Sequence, residues 1–319
     1  MMIDDNRKAI DVQGLVVEYH NGKRAVDSIS FQVSYGECVG FIGVNGAGKS
    51  STIKTMLGFH FPTQGSVRVL GLDPGNAESR KRVGYLPEVA VYYPFLKARE
   101  ILELYGGLQG LDKTELRKRI PPLLEELGLG GCEETLVREF SKGMQQRLGI
   151  AQAIIAQPEL MIFDELTSGL DPLGRHELHQ VLLRHKSQGK TLFFSSHDLG
   201  DVEHLCDRII MIHQGKIIHQ ATIAELLQPL SEFVIVFELP PNTSLPDSVI
   251  NKNPTMDSLV PGRFTVKTRK AEDFAQTIQC LSGINARLIE TGNRTTSLED
   301  EFIRLVHLNE KHKQEEAEQ

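Results

Sequence analysis

The chain has 319 residues, 40% of them hydrophobic and 24% charged, with a formal net charge of −7. That is the balance of an ordinary soluble globular protein, long enough for one large domain and a smaller one. It argues against a general binder of nucleic acid or of anionic membrane, since either needs a basic face. Cys38, Cys132, Cys206 and Cys280 form no CxxC pair, and although His204 lies near Cys206, no further ligands stand at metal spacing. Buried reduced thiols are expected, with no disulfide framework and no zinc. The N-terminus, Met1 to Lys8, is too charged for a secretory apolar region, and runs such as Leu160 to Phe163 or Phe233 to Phe237 are far short of a membrane span. A cytoplasmic chain is expected, carried to any membrane by another protein.

Val12 to Val33 alternates apolar and polar residues about a turn at Asn21-Gly22, which predicts strands of a small antiparallel sheet. Cys38 to Ile42 is a short apolar run that reads as a buried strand. It leads into Gly43-Val44-Asn45-Gly46-Ala47-Gly48-Lys49-Ser50, and Ser51 to Leu57 continue as a helix. A strand, a Gly-rich loop ending in Gly-Lys-Ser and a helix start have the spacing of a phosphate loop. Glycines let successive backbone N–H groups point into one concavity, and the helix N-terminus adds its positive dipole end. In that arrangement Lys49 reaches the β- and γ-phosphates and the Ser50 hydroxyl ligates Mg²⁺.

Gly65 to Gly71 and Arg82 to Leu86 read as further strands, the second ending at Pro87. Ala98 to Leu127 has a charged helical pattern that Pro121-Pro122 is expected to interrupt, within a helical subdomain over about residues 89–157. Ser141 to Ala156 reads as a helix stopped by Pro158. Its opening, Phe140-Ser141-Lys142-Gly143-Met144-Gln145-Gln146-Arg147, is a Ser/Gly turn that either grips phosphate through backbone N–H groups or simply caps the helix. Leu160 to Phe163 has the character of a central parallel strand and ends in Asp164-Glu165. Acids placed there stand at the strand edge where α/β sheets bind ligands. In phosphate-loop enzymes the first acid holds Mg²⁺, usually through water, and Glu165 is the natural group to orient or deprotonate an attacking water. Without the loop, the pair would read equally well as a solvated strand end. The helix Arg175 to Lys186, the strand Thr191 to Ser195, the helix Leu199 to Cys206 and a hairpin about Gln214-Gly215 complete an α/β alternation. His197 follows Phe193-Phe194-Ser195-Ser196; alone, a histidine there is more often structural than catalytic.

The character changes after Gln228-Pro229. Strand-like runs at Phe233 to Leu239, Arg263 to Thr268 and Ala286 to Glu290 surround a helical run, Ala271 to Leu281, with a Pro/Asn/Ser-rich loop at Pro240 to Pro254. These predict a small α+β domain over residues 229–309, after a first domain over 1–228. The polar tail, 310–319, is expected to fray.

In this order the motifs resemble those of the ATP-binding subunit of ATP-binding cassette (ABC) transporters, over about residues 10–228. The resemblance implies a P-loop NTPase core of ABC type, an α/β fold with an antiparallel β-subdomain and a helical subdomain. Gly43 to Ser50 is then the Walker A motif, Asp164-Glu165 ends Walker B, Phe140 to Met144 stands at the signature Leu-Ser-Gly-Gly-Gln, Ser168-Gly169-Leu170-Asp171 matches the D-loop and His197 the switch histidine. Tyr19 sits where the family stacks an aromatic ring on adenine. The implied catalytic residues are Glu165, His197 and Lys49, and the implied Mg²⁺ ligands are Ser50 and Asp164. Contacts to ATP are implied for Tyr19, Gly43, Asn45, Gly46, Ala47, Gly48, Lys49, Ser50, Ser51, Glu88, Ser141, Gly143 and Asp171.

The family mechanism needs two copies. They close head to tail, each ATP lying between Walker A of one and the signature loop of the other, and drive a membrane permease.

The sequence departs from the family pattern at four places. Glu88 stands where a glutamine is usual, in Gly84-Tyr85-Leu86-Pro87-Glu88; Lys142 replaces a glycine; Met144 replaces a glutamine; and Leu166 replaces a proline. None removes a reacting group, so an active ATPase is expected. The Ser-Lys-Gly-Met signature, the Gly-Tyr-Leu-Pro-Glu segment and Thr296-Ser297-Leu298-Glu299-Asp300-Glu301-Phe302 look like the ATPases of ABC-2-type exporters. The last segment reads as a capped helix with Leu298, Phe302 and Leu305 on its apolar side. A permease partner and a place at the cytoplasmic face of the inner or plasma membrane follow from that likeness. Two other classes are a soluble ABC ATPase of translation or DNA repair and an ATP-binding regulatory module without turnover. Soluble ABC ATPases generally carry two cassettes or long coiled-coil insertions in one chain; here there is one cassette and no heptad run.

Overall fold

The computed structural model describes residues 8–227, 232–240, 243, 245, 249, 256–260, 262–268, 270–294 and 298–317. Most of the Pro240 to Pro254 loop, the Gln228-Pro229 boundary and the Thr296-Ser297 cap lie outside these residues. The chain forms two compact units, one made of residues up to Ile223 and again from Phe302, the other of Ala224–Glu301.

In the first unit, β1 (Lys8–Glu18) and β2 (Arg24–Ser34) pair antiparallel about the Asn21-Gly22 turn, and β4 (Gln64–Val69) pairs with the other edge of β1. Their alternation turns Ile10, Val12, Ile29, Phe31, Val33, Val67 and Val69 into one core. A second sheet has the order β5-β6-β7-β3-β8-β9, with β5 (Val83–Leu86), β6 (Leu160–Asp164), β7 (Thr191–Ser196), β3 (Cys38–Ile42) and β8 (Arg208–His213) parallel and β9 (Lys216–Thr222) antiparallel. β3, β6 and β7 are buried at every residue, as parallel strands covered on both faces must be. The two sheets share apolar residues: Phe31 of β2 stacks on Phe193 of β7 with ring centroids 5.9 Å apart, and Phe41 of β3 lies 5.5 Å from Phe193.

The first-unit helices are α1 (Lys49–Met56), α2 (Ala77–Lys81), α3 (Ala98–Leu108), α4 (Lys113–Glu126), α5 (Lys142–Ile154), α6 (Pro172–Ser187) and α7 (Leu199–Leu205), followed by α8 (Ile223–Leu226) where the units meet in sequence. The expected break at Pro121-Pro122 does not occur; α4 runs through both prolines. Each ring removes a hydrogen bond to a carbonyl one turn back, at Arg117 and Lys118, and both of those residues are exposed, where water serves the freed oxygens. Leu116, Ile120 and Leu124 hold the opposite face, spaced by one turn and buried. Asp112 caps the helix by accepting from the backbone N–H groups of Thr114 and Glu115. Helix α6 begins three residues earlier than its pattern suggests, because Asp171 accepts from the Gly174 N–H and Pro172 takes the first helical position.

In the second unit, β10 (Glu232–Glu238), β11 (Met256–Val260), β12 (Arg263–Thr268) and β13 (Arg287–Arg294) form an antiparallel sheet of order β11-β12-β10-β13, with α9 (Ala271–Gly283). Ile235, Phe237, Val266 and Leu281 are its buried centre. Strand β11 has no counterpart in the sequence reading, since Met-Asp-Ser-Leu-Val carries little β-branching and is recruited by pairing to β12. The tail also differs from expectation: α10 (Leu298–Ala317) continues past Lys311. Its Glu-Lys-His-Lys-Gln-Glu-Glu-Ala run is polar but consists mostly of strong helix formers.

Candidate functional site

Strand register brings the singled-out residues to one edge. Ile42 of β3 lies opposite Ser196 of β7 and Met211 of β8, Asp164 of β6 lies opposite Ser195, and Leu86 of β5 lies opposite Phe163. The segments leaving these strand ends are the Gly43 loop, Ile212 to Gly215, Asp164-Glu165, Ser195 to His197, and Pro87-Glu88. Sites in parallel sheets form at this carboxyl edge.

The loop is wedged in place by its neighbours. A Cβ at Gly43 would lie 2.3 Å from the backbone oxygen of Ile212, and one at Gly48, whose φ is 114°, would lie 2.6 Å from that of Ala25. Ala47 accepts a hydrogen bond from the Gly215 N–H at 2.8 Å. Gly48 ends the loop as the N-cap of α1, so the first turn of that helix points its unpaired N–H groups toward the loop. Lys49 is buried; its Nζ donates to the Gly43 carbonyl at 2.6 Å and stands 3.8 Å from Glu165 Oε1. The other oxygen of Glu165, Oε2, lies 2.6 Å from His197 Nδ1. Lys49, Glu165 and His197 thus meet across the edge although 116 and then 32 residues separate them in sequence.

Asp164 is buried beside them. Its Oδ1 accepts from the Ser195 hydroxyl at 2.6 Å, and Ser195 Oγ accepts in turn from the Glu165 N–H at 3.1 Å. Glu165 has φ = 60°, the left-handed region that a residue with a side chain rarely adopts. The Tyr85 hydroxyl is pushed up to about 12, first by burial and then by the charge of Asp164. At the other end of the loop, Tyr19 Oη lies 2.9 Å from Ser51 Oγ, and the Tyr19 ring meets His60 edge-on at 5.6 Å. Tyr19 remains 37% exposed, leaving ring surface open.

The remaining predicted residues lie elsewhere on this unit. Glu88 is exposed in the turn after β5. Ser141 is the N-cap of α5 and accepts from the Met144 N–H at 3.2 Å, while a Cβ on Gly143 would lie 3.3 Å from the Gly169 oxygen. Ser141 thus serves its own helix, while Gly143 lies against the turn after Glu165. Asp171 caps α6. Ser195, Gln146, Thr167 and Asp201 were not singled out from the sequence. The signal for Ser195 was the polar pair closing a buried apolar strand; Gln146, in a run of polar residues opening a helix, offered none.

The donor set suits a small hard cation served by few protein ligands. Ser50 and Asp164 offer oxygen, phosphates of a bound nucleotide would complete the shell, and no cluster of three or more His, Cys, Asp or Glu fit for a metal occurs among the described residues.

A mainly parallel sheet with a Gly-Lys-Ser loop and a carboxylate pair at its carboxyl edge is the arrangement of the phosphate-loop nucleoside triphosphatases. Comparison with known proteins narrows the class. The ABC transporter family matches residues 26–168. The chain is 38% identical over 278 residues to an uncharacterized ABC transporter ATP-binding protein of Synechocystis sp., covering 86% of this chain and 77% of that one. It is 33% identical over 304 residues to the Nod factor export ATP-binding protein I of Paraburkholderia xenovorans, covering 91% and 95% respectively. A solved structure of the ATP-binding subunit of an ABC transporter matches with a TM-score of 0.64 and 34% identity, covering 68% of this chain and 91% of that chain. The chain belongs to the ATP-binding subunits of ABC transporters, a family of ATPases.

Proposed function

We propose that this chain hydrolyses ATP as the energising subunit of an ABC-2-type exporter, closing head to tail with a second copy around two Mg-ATP. The observation that carries the catalytic part is the convergence of the buried Lys49 and the exposed His197 on the two oxygens of Glu165. Support for export is the likeness to a Nod factor export subunit along nearly its whole length. No helix among the described residues is long and apolar enough to cross a membrane. In this reading the permease is a separate polypeptide, at whose cytoplasmic face this subunit docks.

In this reading Lys49 leaves the Gly43 carbonyl for the β- and γ-phosphates, and the N–H groups from Gly43 through Ser51, including Asn45, Gly46, Ala47 and Gly48, cradle them. Tyr19 offers its open ring face to adenine. Ser50 and Asp164 would hold Mg²⁺, which when bound neutralises phosphate charge. Glu165, relieved of Lys49, accepts a hydrogen bond from the attacking water, and His197 holds the carboxylate and reaches the γ-phosphate. Ser141 and the Gly143 N–H of the second copy close the site, with Asp171 and Glu88 at its margins.

The test is Glu165→Gln, which keeps shape and removes the base. Phosphate release should fall by about a hundredfold or more, and light scattering should show an ATP-bound dimer with Mg-ATP. Equal rates in both proteins sink the catalytic assignment, and a chain that stays monomeric with Mg-ATP, alone and with its membrane partner, sinks the dimer. Purification in mild detergent should bring down an integral membrane protein; ribosomes or DNA in its place would overturn the exporter reading.

A further inference from the structure

One group of buried polar side chains has no part in the mechanism above. Thr167, two residues past Glu165, is buried and donates its hydroxyl hydrogen to Asp201 Oδ2 at 2.5 Å. Asp201 lies in the first turn of α7, four residues past His197, and is 3% exposed. Its Oδ1 stands 2.9 Å from His179 Nε2 on α6. From the other side Gln146, 6% exposed on α5, donates its amide to the Leu166 carbonyl at 2.7 Å and to the Glu165 carbonyl at 3.4 Å. The turn that follows Asp164 is therefore held from α5 through its backbone carbonyls, by Gln146, and from α7 through the Thr167 side chain, by Asp201, which His179 of α6 backs.

Stability alone is a weak reason for such an arrangement. A buried carboxylate and its donors give up hydration, and apolar side chains of the same volume would often hold the elements together as well. What these groups hold is specific: the backbone of Glu165 at φ = 60°, a conformation that costs about 1–2 kcal/mol for a residue with a Cβ. Rotating φ back to the ordinary region would swing the Glu165 side chain away from Lys49 and His197. Its N–H is already tied to Ser195, and the Leu166 and Thr167 side of the turn is where the constraint must come from.

We propose that Gln146 and the Thr167–Asp201–His179 chain are positioning residues, clamping the turn after Asp164 so that the Glu165 carboxylate is aimed. This rests on the reading of Glu165 as the group that orients water. Helix α5 begins at the Ser141-Lys142-Gly143 turn, so the same Gln146 amide links the carbonyls of Glu165 and Leu166 to the segment that would touch the second copy's nucleotide. A shift of that segment on dimer closure would reach Glu165 through one hydrogen bond.

Thr167→Val keeps the volume and deletes the hydroxyl, whereas Thr167→Ser keeps the hydroxyl. Steady-state phosphate release should show kcat lowered at least about tenfold in Thr167→Val with KM for ATP little changed, and restored in Thr167→Ser. Because the clamp acts through Glu165, Thr167→Val should cause no further loss in a Glu165→Gln background, measured in single turnover. Gln146→Met, which removes the amide from outside the Thr167 pocket, should repeat the pattern and serves if Thr167→Val fails to fold. A lowered melting temperature with unchanged kcat in these variants, or an equal loss in both backgrounds, overturns the clamp and leaves a structural role. A wild-type rate in Glu165→Gln alone overturns the catalytic reading of Glu165 instead.

Discussion

Replacing Gly43 with alanine asks whether the phosphate loop owes its place to the strand beside it. The new Cβ would lie 2.3 Å from the Ile212 backbone oxygen, 2.9 Å from Ile212 Cγ2 and 3.1 Å from Ala47 Cβ. The first contact is about an ångström shorter than ordinary van der Waals separation, and it is with backbone. Ile212 sits in β8, paired to Ile217 of β9 and one residue past the last pair with β3, Ile42–Met211, so moving that oxygen would disturb the pairing of the strand end. The loop must move instead, and Lys49 with it. Overpacking of this kind costs about 1–3 kcal/mol of stability, and a displacement near 1 Å at reacting groups costs on the order of a hundredfold in turnover. Phosphate release, titration with a fluorescent ATP analogue and thermal unfolding would be measured together. Gly71→Ala is the control: Gly71 has φ = 78° and nothing within 4 Å of its Cβ position, so only left-handed strain is added. That variant should lose about 1–2 kcal/mol of stability and no turnover. Wild-type affinity and turnover in Gly43→Ala would refute the wedge.

Burial pushes the Asp201 carboxyl up, but hydrogen bonds from His179 and Thr167 bring it below the ordinary aspartate value. Its contribution to stability is therefore full above about pH 4 and is lost as pH falls through the lower folded value. Asp201→Asn should be about 1–3 kcal/mol less stable than the parent at neutral pH, with the gap closing toward pH 3 in denaturant titrations. The raised Tyr85 hydroxyl means that folding favours its neutral form, an advantage kept below the ordinary tyrosine range and lost as pH rises through about 12. A rapid pH-jump ultraviolet titration should lose that phenolate step in Tyr85→Phe. Phe193→Ala, on the strand beside the loop strand and packed against Phe31 and Phe41, should cost about 3–5 kcal/mol in urea unfolding.

What could be read from the sequence was what is local. The phosphate loop is contiguous, its flanking strand is an apolar run and its helix follows at once, so Gly43 to Ser51 needed no tertiary information. The Asp164-Glu165 pair was legible for the same reason. The unread part depends on strand order. Asp164 and Ser195 become hydrogen-bonded neighbours only because β6 and β7 pair in register, 31 residues apart. Thr167, Asp201 and His179 meet only because α6 and α7 pack together, and nothing in a threonine, an aspartate and a histidine at those separations announces it. Pro121-Pro122 misled because a rule about isolated helices met one whose prolines lie on the watered face, with Leu116, Ile120 and Leu124 holding the other.

The position of β3 between β7 and β8 has a consequence in time. The loop it carries is synthesised near the start of the chain, yet its wedge, Ile212, comes 169 residues later. At ordinary rates of synthesis that is a wait of roughly ten to thirty seconds. The antiparallel sheet of β1, β2 and β4 is complete within the first 70 residues and can form while the ribosome is still working. Assembly of the nucleotide loop has to await β7 and β8. A truncated product ending before residue 208 would contain the whole Gly-Lys-Ser motif and still lack the backbone that shapes it.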